Sequence, residues 1–137
     1  MPEVAIKGAK IQNSIAPNHI RIKKLNPDTI PPYSSYFYDY INATIEGEIS
    51  EGSTNVFVNG KEVTFSGAKT TERDDYQLPG GWSYDSGAHT STNGSVKNGS
   101  PTVFINGKPL ARKSDAIETH AGSSSIITDG SSNVFAN

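Results

Sequence analysis

The chain has 137 residues, of which 34% are apolar, with no cysteine, 13 glycines, 8 prolines and a formal net charge of −2. That length bounds it to a single domain, 1–137; the charge leaves no basic stripe for nucleic acid, and the missing cysteines exclude disulfide staples. No apolar run approaches the roughly 18 residues of a membrane span, and the opening MPEVAIKGAK lacks the apolar core of a cleaved signal peptide.

In chain order, EVAIKGAK at 3–10 reads as one short strand. It matches EVTFSGAK at 62–69 in five of eight positions. Residues 11–45 form the longest insertion, containing NPDTIPPYSSYFYDYINATI. Its prolines argue against a regular helix, and a loop is expected. Tyr33, Tyr36, Phe37, Tyr38 and Tyr40 either fold that loop against the body or offer a surface to a partner.

The phrase GSTNVFVNGKEVTF follows at 52–65, and its echo GSPTVFINGKPLAR occupies 99–112. Between them lies a second insertion, 68–93, polar with one Trp and also expected to be loop. A third copy, GSSNVFAN at 130–137, stops mid-phrase at the chain end. Val56/Val58 and Val103/Ile105 alternate with Phe57 and Phe104, as in half-buried strands. Asn59-Gly60 and Asn106-Gly107 then supply the positive φ pair that a type I′ hairpin turn needs. Earlier turns at Glu51-Gly52, Asn98-Gly99 and Asp129-Gly130 are preceded by the short strand candidates EGEIS, SVK and SIIT. Each unit reads as a three-stranded meander.

The third unit lacks its last strand, and the N-terminus has the sequence to supply it. The expected fold is therefore all-β: a pseudo-threefold conical body of three short β-meanders closed by the N-terminal strand, with little or no helix. Closure removes edges that short sheets would otherwise expose.

Only three histidines exist. His89 lies ten residues before Gly99 and His120 ten before Gly130, so the two share a phase. His19 follows the first strand as the others follow theirs. One imidazole per unit, converging on the axis at the point of the cone, suits a zinc-like ion, with iron as the alternative. A metal can replace apolar core where chain mass runs out. The fourth ligand stays open between water and a carboxylate such as Asp85, Asp115 or Glu118. No nucleophile elbow or phosphate loop is present, and the chain is not expected to be an enzyme.

GSPTVFINGKPLAR, with PLAR at Pro109–Arg112, resembles the repeat of PAAR-domain proteins, and the two chain ends resemble those of short phage-type members. The resemblance implies a metal-stabilised tip that caps a trimeric β-helical spike with its wide end. Such tips serve contractile injection machines (phage tail, type VI secretion or related particle) and help pierce the target cell envelope. It further implies one structural metal ion on His19, His89 and His120, where the family commonly adds a cysteine that this chain lacks. By the same resemblance the protein is a monomer on its own, made in the cytoplasm without a cleaved signal and placed in a virion tail or extracellular injection apparatus. A β-rich adhesin or carbohydrate-binding module is the runner-up, and a small metalloenzyme comes after it.

Overall fold

The computed structural model describes residues 1–137. It is all-β. Eleven strands run in chain order as β1 Ser14–Leu25, β2 Tyr36–Ile49, β3 Phe57–Val58, β4 Lys61–Glu62, β5 Thr70–Asp75 and β6 Ser83–Ser86. They continue as β7 Ser95–Val96, β8 Phe104–Ile105, β9 Lys108–Pro109, β10 Ala116–Glu118 and β11 Ser124–Ile126. One sheet has the order β5-β2-β1-β6 and another β11-β10-β7, while β3-β4 and β8-β9 are two-stranded hairpins.

Both hairpins turn where the Asn-Gly pairs demand it. Asn59 and Gly60 have φ of 52° and 79°, and Asn106 and Gly107 have 52° and 82°. The third copy is completed by the N-terminus: Val4 N–H donates to the Val134 carbonyl at 2.9 Å and Ala136 N–H to that of Pro2 at 3.0 Å. Ser131 N–H donates to Val4 O at 2.8 Å, as Ser53 does to Val63 at 2.8 Å and Ser100 to Leu110 at 2.7 Å. The three units are then laced together. Ala5 donates to Ala111, Ala111 to Thr64 and Thr64 back to Ala5, at 3.0, 3.0 and 3.2 Å. That closed cycle is a threefold arrangement made from one chain, and it satisfies backbone groups that three separate hairpins would leave open.

Side chains repeat the lacing. Asn106 Nδ2 donates to Asn55 Oδ1 at 2.9 Å and Asn59 Nδ2 to Asn133 Oδ1 at 2.8 Å, while Ser100 Oγ donates to the carbonyl of Asn137. The inward residues Val4, Val63, Leu110 and Ala136 form one apolar cluster, with Val56, Val58, Ile105 and Val134 against it. A larger cluster follows around Ile11, Ile49, Val96, Ile117 and Ile127. Phe57, Phe104 and Phe135 take the opposite face of their strands, as the alternation predicts, and are 53%, 55% and 46% exposed.

PLARKSDA at 109–116 departs from the apolar pattern of this threefold frame at two positions. Ile6 and Ala9 in one unit and Phe65 and Ala68 in the next are replaced by Arg112 and Asp115. Arg112 Nη2 and Nε donate to Asp115 Oδ1 and Oδ2 at 2.8 and 3.1 Å, and the carboxylate also accepts the Arg112 N–H at 2.7 Å. The hydrogen bond with Asp115, against the cost of burial, raises the guanidinium pKa further above its already high value.

The two insertions are ordered differently from expectation. Instead of a loop, 11–45 is a long antiparallel hairpin in which Ile20–Leu25 pair with Ile41–Tyr36, and 68–93 contributes β5 and β6 to the same sheet. Period-two alternation of Ile20 and Ile22 against Ile41 and Ala43 provides the buried face, to which Tyr76, Trp82 and Ala88 add. Tyr33, Tyr36, Phe37, Tyr38 and Tyr40 do not fold against the body; all are at least 44% exposed. Tyr36, Tyr38 and Tyr40 share a face, with Arg21 stacked on the Tyr38 ring at 4.0 Å and Lys23 over Tyr36 at 5.0 Å.

Candidate metal centre

Four segments meet at one place. His19 sits where β1 bulges: its register on β2 shifts between Ala16 and Ile20, around Asn18 at φ 53°. A bulge re-aims a side chain out of the strand's alternation. Gly87, at φ 101°, lets the chain pass beside that bulge, because a Cβ there would lie 2.7 Å from the His19 carbonyl. Two residues on, the His89 carbonyl accepts the Asp74 backbone N–H at 2.9 Å. His120 follows β10, which pairs with β7 and β11.

The three imidazoles form a triangle with centroids 5.5, 5.5 and 5.0 Å apart. At its centre is Asp74, the last residue but one of β5. His19 Nε2 and His89 Nδ1 each lie 2.9 Å from Asp74 Oδ2, and His120 Nε2 lies 2.7 Å from Oδ1. The backbone N–H of His89 adds a further bond to Oδ2 at 2.8 Å. Burial of Asp74 opposes its charge, yet the bonds from His89, His120 and His19 prevail and hold the carboxyl below its ordinary pKa. One ligand atom from each of His19, Asp74, His89 and His120 falls within 4.8 Å of the others.

The donor set fits a divalent ion of the zinc or ferrous type, for which imidazole nitrogen and carboxylate oxygen are ordinary ligands. Charge supports the fit. Asp74 and Glu72 have fully shielded side chains, and their only ion-pair partners are the three imidazoles. With neutral rings, two buried carboxylates lack a counter-charge that one divalent ion would supply.

The structure brings His19, His89 and His120 together but none of the carboxylates Asp85, Asp115 and Glu118. Asp85 faces Arg21 at 3.5 Å, Asp115 is held by Arg112, and Glu118 is exposed on β10. The carboxylate that meets all three rings is Asp74, and Glu72 stands behind His120; sequence reasoning missed both. The available signal was TTERDD directly after GAK, where alternate residues Thr70, Glu72 and Asp74 share one face of a strand. Nor are the histidines at an extremity. They sit between the large apolar cluster and the smaller one of Ile20, Ile22 and Ala43, and the β1–β2 hairpin runs on past His19 to its turn at 26–35.

A threefold-laced all-β body carrying a histidine–carboxylate cluster is the class that the fold and site define. The family model of the PAAR motif matches residues 86–137. The matched segment holds His89, His120 and the PLAR strand; His19 and Asp74 come from outside it. That motif is the mark of spike-tip proteins of contractile injection systems, which are structural, associate with a spike protein and are in general metal-binding. No curated protein matches the chain.

Proposed function

We propose that this protein caps a trimeric β-helical spike with the end that carries the β3–β4 and β8–β9 hairpins, while one metal ion on His19, Asp74, His89 and His120 braces the body between that end and the turn of the β1–β2 hairpin. The observation that carries the reading is the threefold set Phe57, Phe104 and Phe135, half-exposed at equivalent positions of three laced units. A true trimer presents one surface three times, and one chain with three similar anchors can mate with all of them. Aromatic side chains are the commonest anchors of such contacts.

On this reading the protein is a monomer that joins the injection apparatus only through the spike. The metal, zinc or iron, ties together four segments that are separate in sequence. The β1–β2 hairpin leads, ahead of the metal, when the envelope is pierced. The test is native mass spectrometry of this protein with the spike protein of its own injection system. The reading expects one copy per spike trimer, lost when the three phenylalanines become serine; binding that survives the triple variant would refute it.

The row of Tyr36, Tyr38 and Tyr40 favours a second reading, an adhesin or carbohydrate-binding module. Against it, Arg21 and Lys23 already cover ring faces of Tyr38 and Tyr36 on which a sugar would stack. Binding to a glycan array that Tyr40→Ala abolishes would favour it.

A further inference from the structure

We propose that Glu72 is a positioning residue that holds the single ring proton of His120 on Nδ1, turns Nε2 towards Asp74, and so sets the metal affinity of the cluster. The proposal rests on the metal reading above.

Glu72 is 1% exposed. Its Oε1 accepts the His120 backbone N–H at 2.9 Å and faces His120 Nδ1 at 2.7 Å. Its Oε2 accepts from Thr70 Oγ1, which in turn accepts the Gly94 N–H at 3.0 Å. The backbone is clamped as well: Glu72 N–H donates to Thr92 O at 2.7 Å, and the Glu72 carbonyl accepts the Thr92 N–H at 2.9 Å. Room for the carboxylate exists because position 94 is glycine; a Cβ there would overlap Oε2 and lie 2.6 Å from the Glu118 carbonyl. Both oxygens and the backbone are therefore fixed before any ligand arrives.

A buried carboxylate is costly unless a charged or strongly donating group faces it. Glu72 has no lysine or arginine in contact, and its one ion-pair partner is His120. An imidazole that ligates through Nε2 must carry its proton on Nδ1, and a carboxylate on that nitrogen fixes the tautomer, fixes the ring plane and raises the basicity of Nε2. His19 and His89 have no second carboxylate of this kind. His120 is also the most shielded ring, with 6% of its side chain exposed against 17% and 46%. The asymmetry makes His120 the pre-set ligand and leaves the others to close on the ion. The simpler account, that Glu72 merely ties β5 to the segment after β10, predicts no effect on tautomer or affinity beyond folding.

The test is nitrogen-15 NMR of the histidine rings in the zinc-loaded wild type, with zinc affinity measured by competition against a chromophoric chelator. The expected result is His120 protonated on Nδ1 and ligating through Nε2. Glu72→Met should lower zinc affinity by about 10- to 100-fold, and Glu72→Gln, which keeps an acceptor but not the charge, should recover most of that loss. His120 found ligating through Nδ1, or a folded Glu72→Met that binds zinc like the wild type, overturns the proposal while leaving the four-residue site standing. A wild type that binds no zinc sinks the site itself and this proposal with it. The tautomer measurement needs no variant, so a Glu72→Met that fails to fold leaves it decisive.

Discussion

Glu3 pairs with Phe135 across almost the whole length of the chain, in an antiparallel bridge that makes the first strand the last one of the third unit. Val4, Ala5 and Ala9, on the same segment, are buried to within 3% of complete exclusion. Deleting residues 1–10 therefore removes the partner of Val134, breaks the Ala5–Ala111–Thr64 cycle and opens two apolar clusters at once. We expect the truncated protein to lose its cooperative thermal transition at 25 °C, measured by circular dichroism against the intact chain. A truncated protein that melts like the full one would contradict the closure.

Arg112 and Asp115 give a separable test, because they replace apolar pairs of the other two units. Arg112→Ala leaves a shielded carboxylate without its cation and should cost about 3–5 kcal/mol. The double change Arg112→Phe with Asp115→Ala restores the Phe65/Ala68 pairing of the second unit and should be far milder. Urea unfolding of the wild type, Arg112→Phe, Asp115→Ala and the double variant measures the coupling; additive losses would show that the pair is not a unit.

Ser114 occupies the place held by Gly8 and Gly67 in the other units, at φ 76° where those have 92° and 93°. A side chain at that φ is strained by about 1–2 kcal/mol. Ser114→Gly should relieve much of it, partly offset by the entropy glycine adds to the unfolded chain, for a net gain of up to about 1 kcal/mol in chemical denaturation. A loss of stability would mean that the serine side chain compensates its own backbone.

Much of this fold was legible because it rests on short-range signals. Asn59-Gly60 and Asn106-Gly107 name their turn by chemistry, and the EVAIKGAK/EVTFSGAK match exposes the closure without any knowledge of packing. The shared phase of His89 and His120 likewise placed two rings at equivalent points, and topology added His19. What stayed hidden depends on registers between distant strands. Glu72 and Asp74 look like a solvated polar run until β2 covers one edge of β5 and His120 arrives from the far side. The 11–45 hairpin was masked by Pro31, Pro32 and a bulge at His19, which break the alternation of β1 and β2 into pieces too short to read as strands.

Acid acts on Asp74 with a defined sign. Its carboxyl is held below the ordinary value in the folded protein, so its contribution is complete above the unfolded-state pKa of about 3.9 and fades as pH falls through the lower folded value. In metal-free protein, the stability difference between wild type and Asp74→Asn should therefore shrink as pH falls below about 4. A difference that instead grows below pH 4 would reverse the assignment.

The central claim is that His19, Asp74, His89 and His120 hold one ion together, and metal content measures it most directly. Protein purified without chelator, or reloaded with zinc, is weighed by native mass spectrometry and assayed for metal by plasma emission, beside His19→Ala and Asp74→Ala. The account predicts one equivalent of zinc or iron per wild-type chain, strongly reduced occupancy in both variants, and a lower thermal midpoint on chelation. A wild type that takes up no metal after reloading, or a His19→Ala protein that keeps a full equivalent, would contradict it.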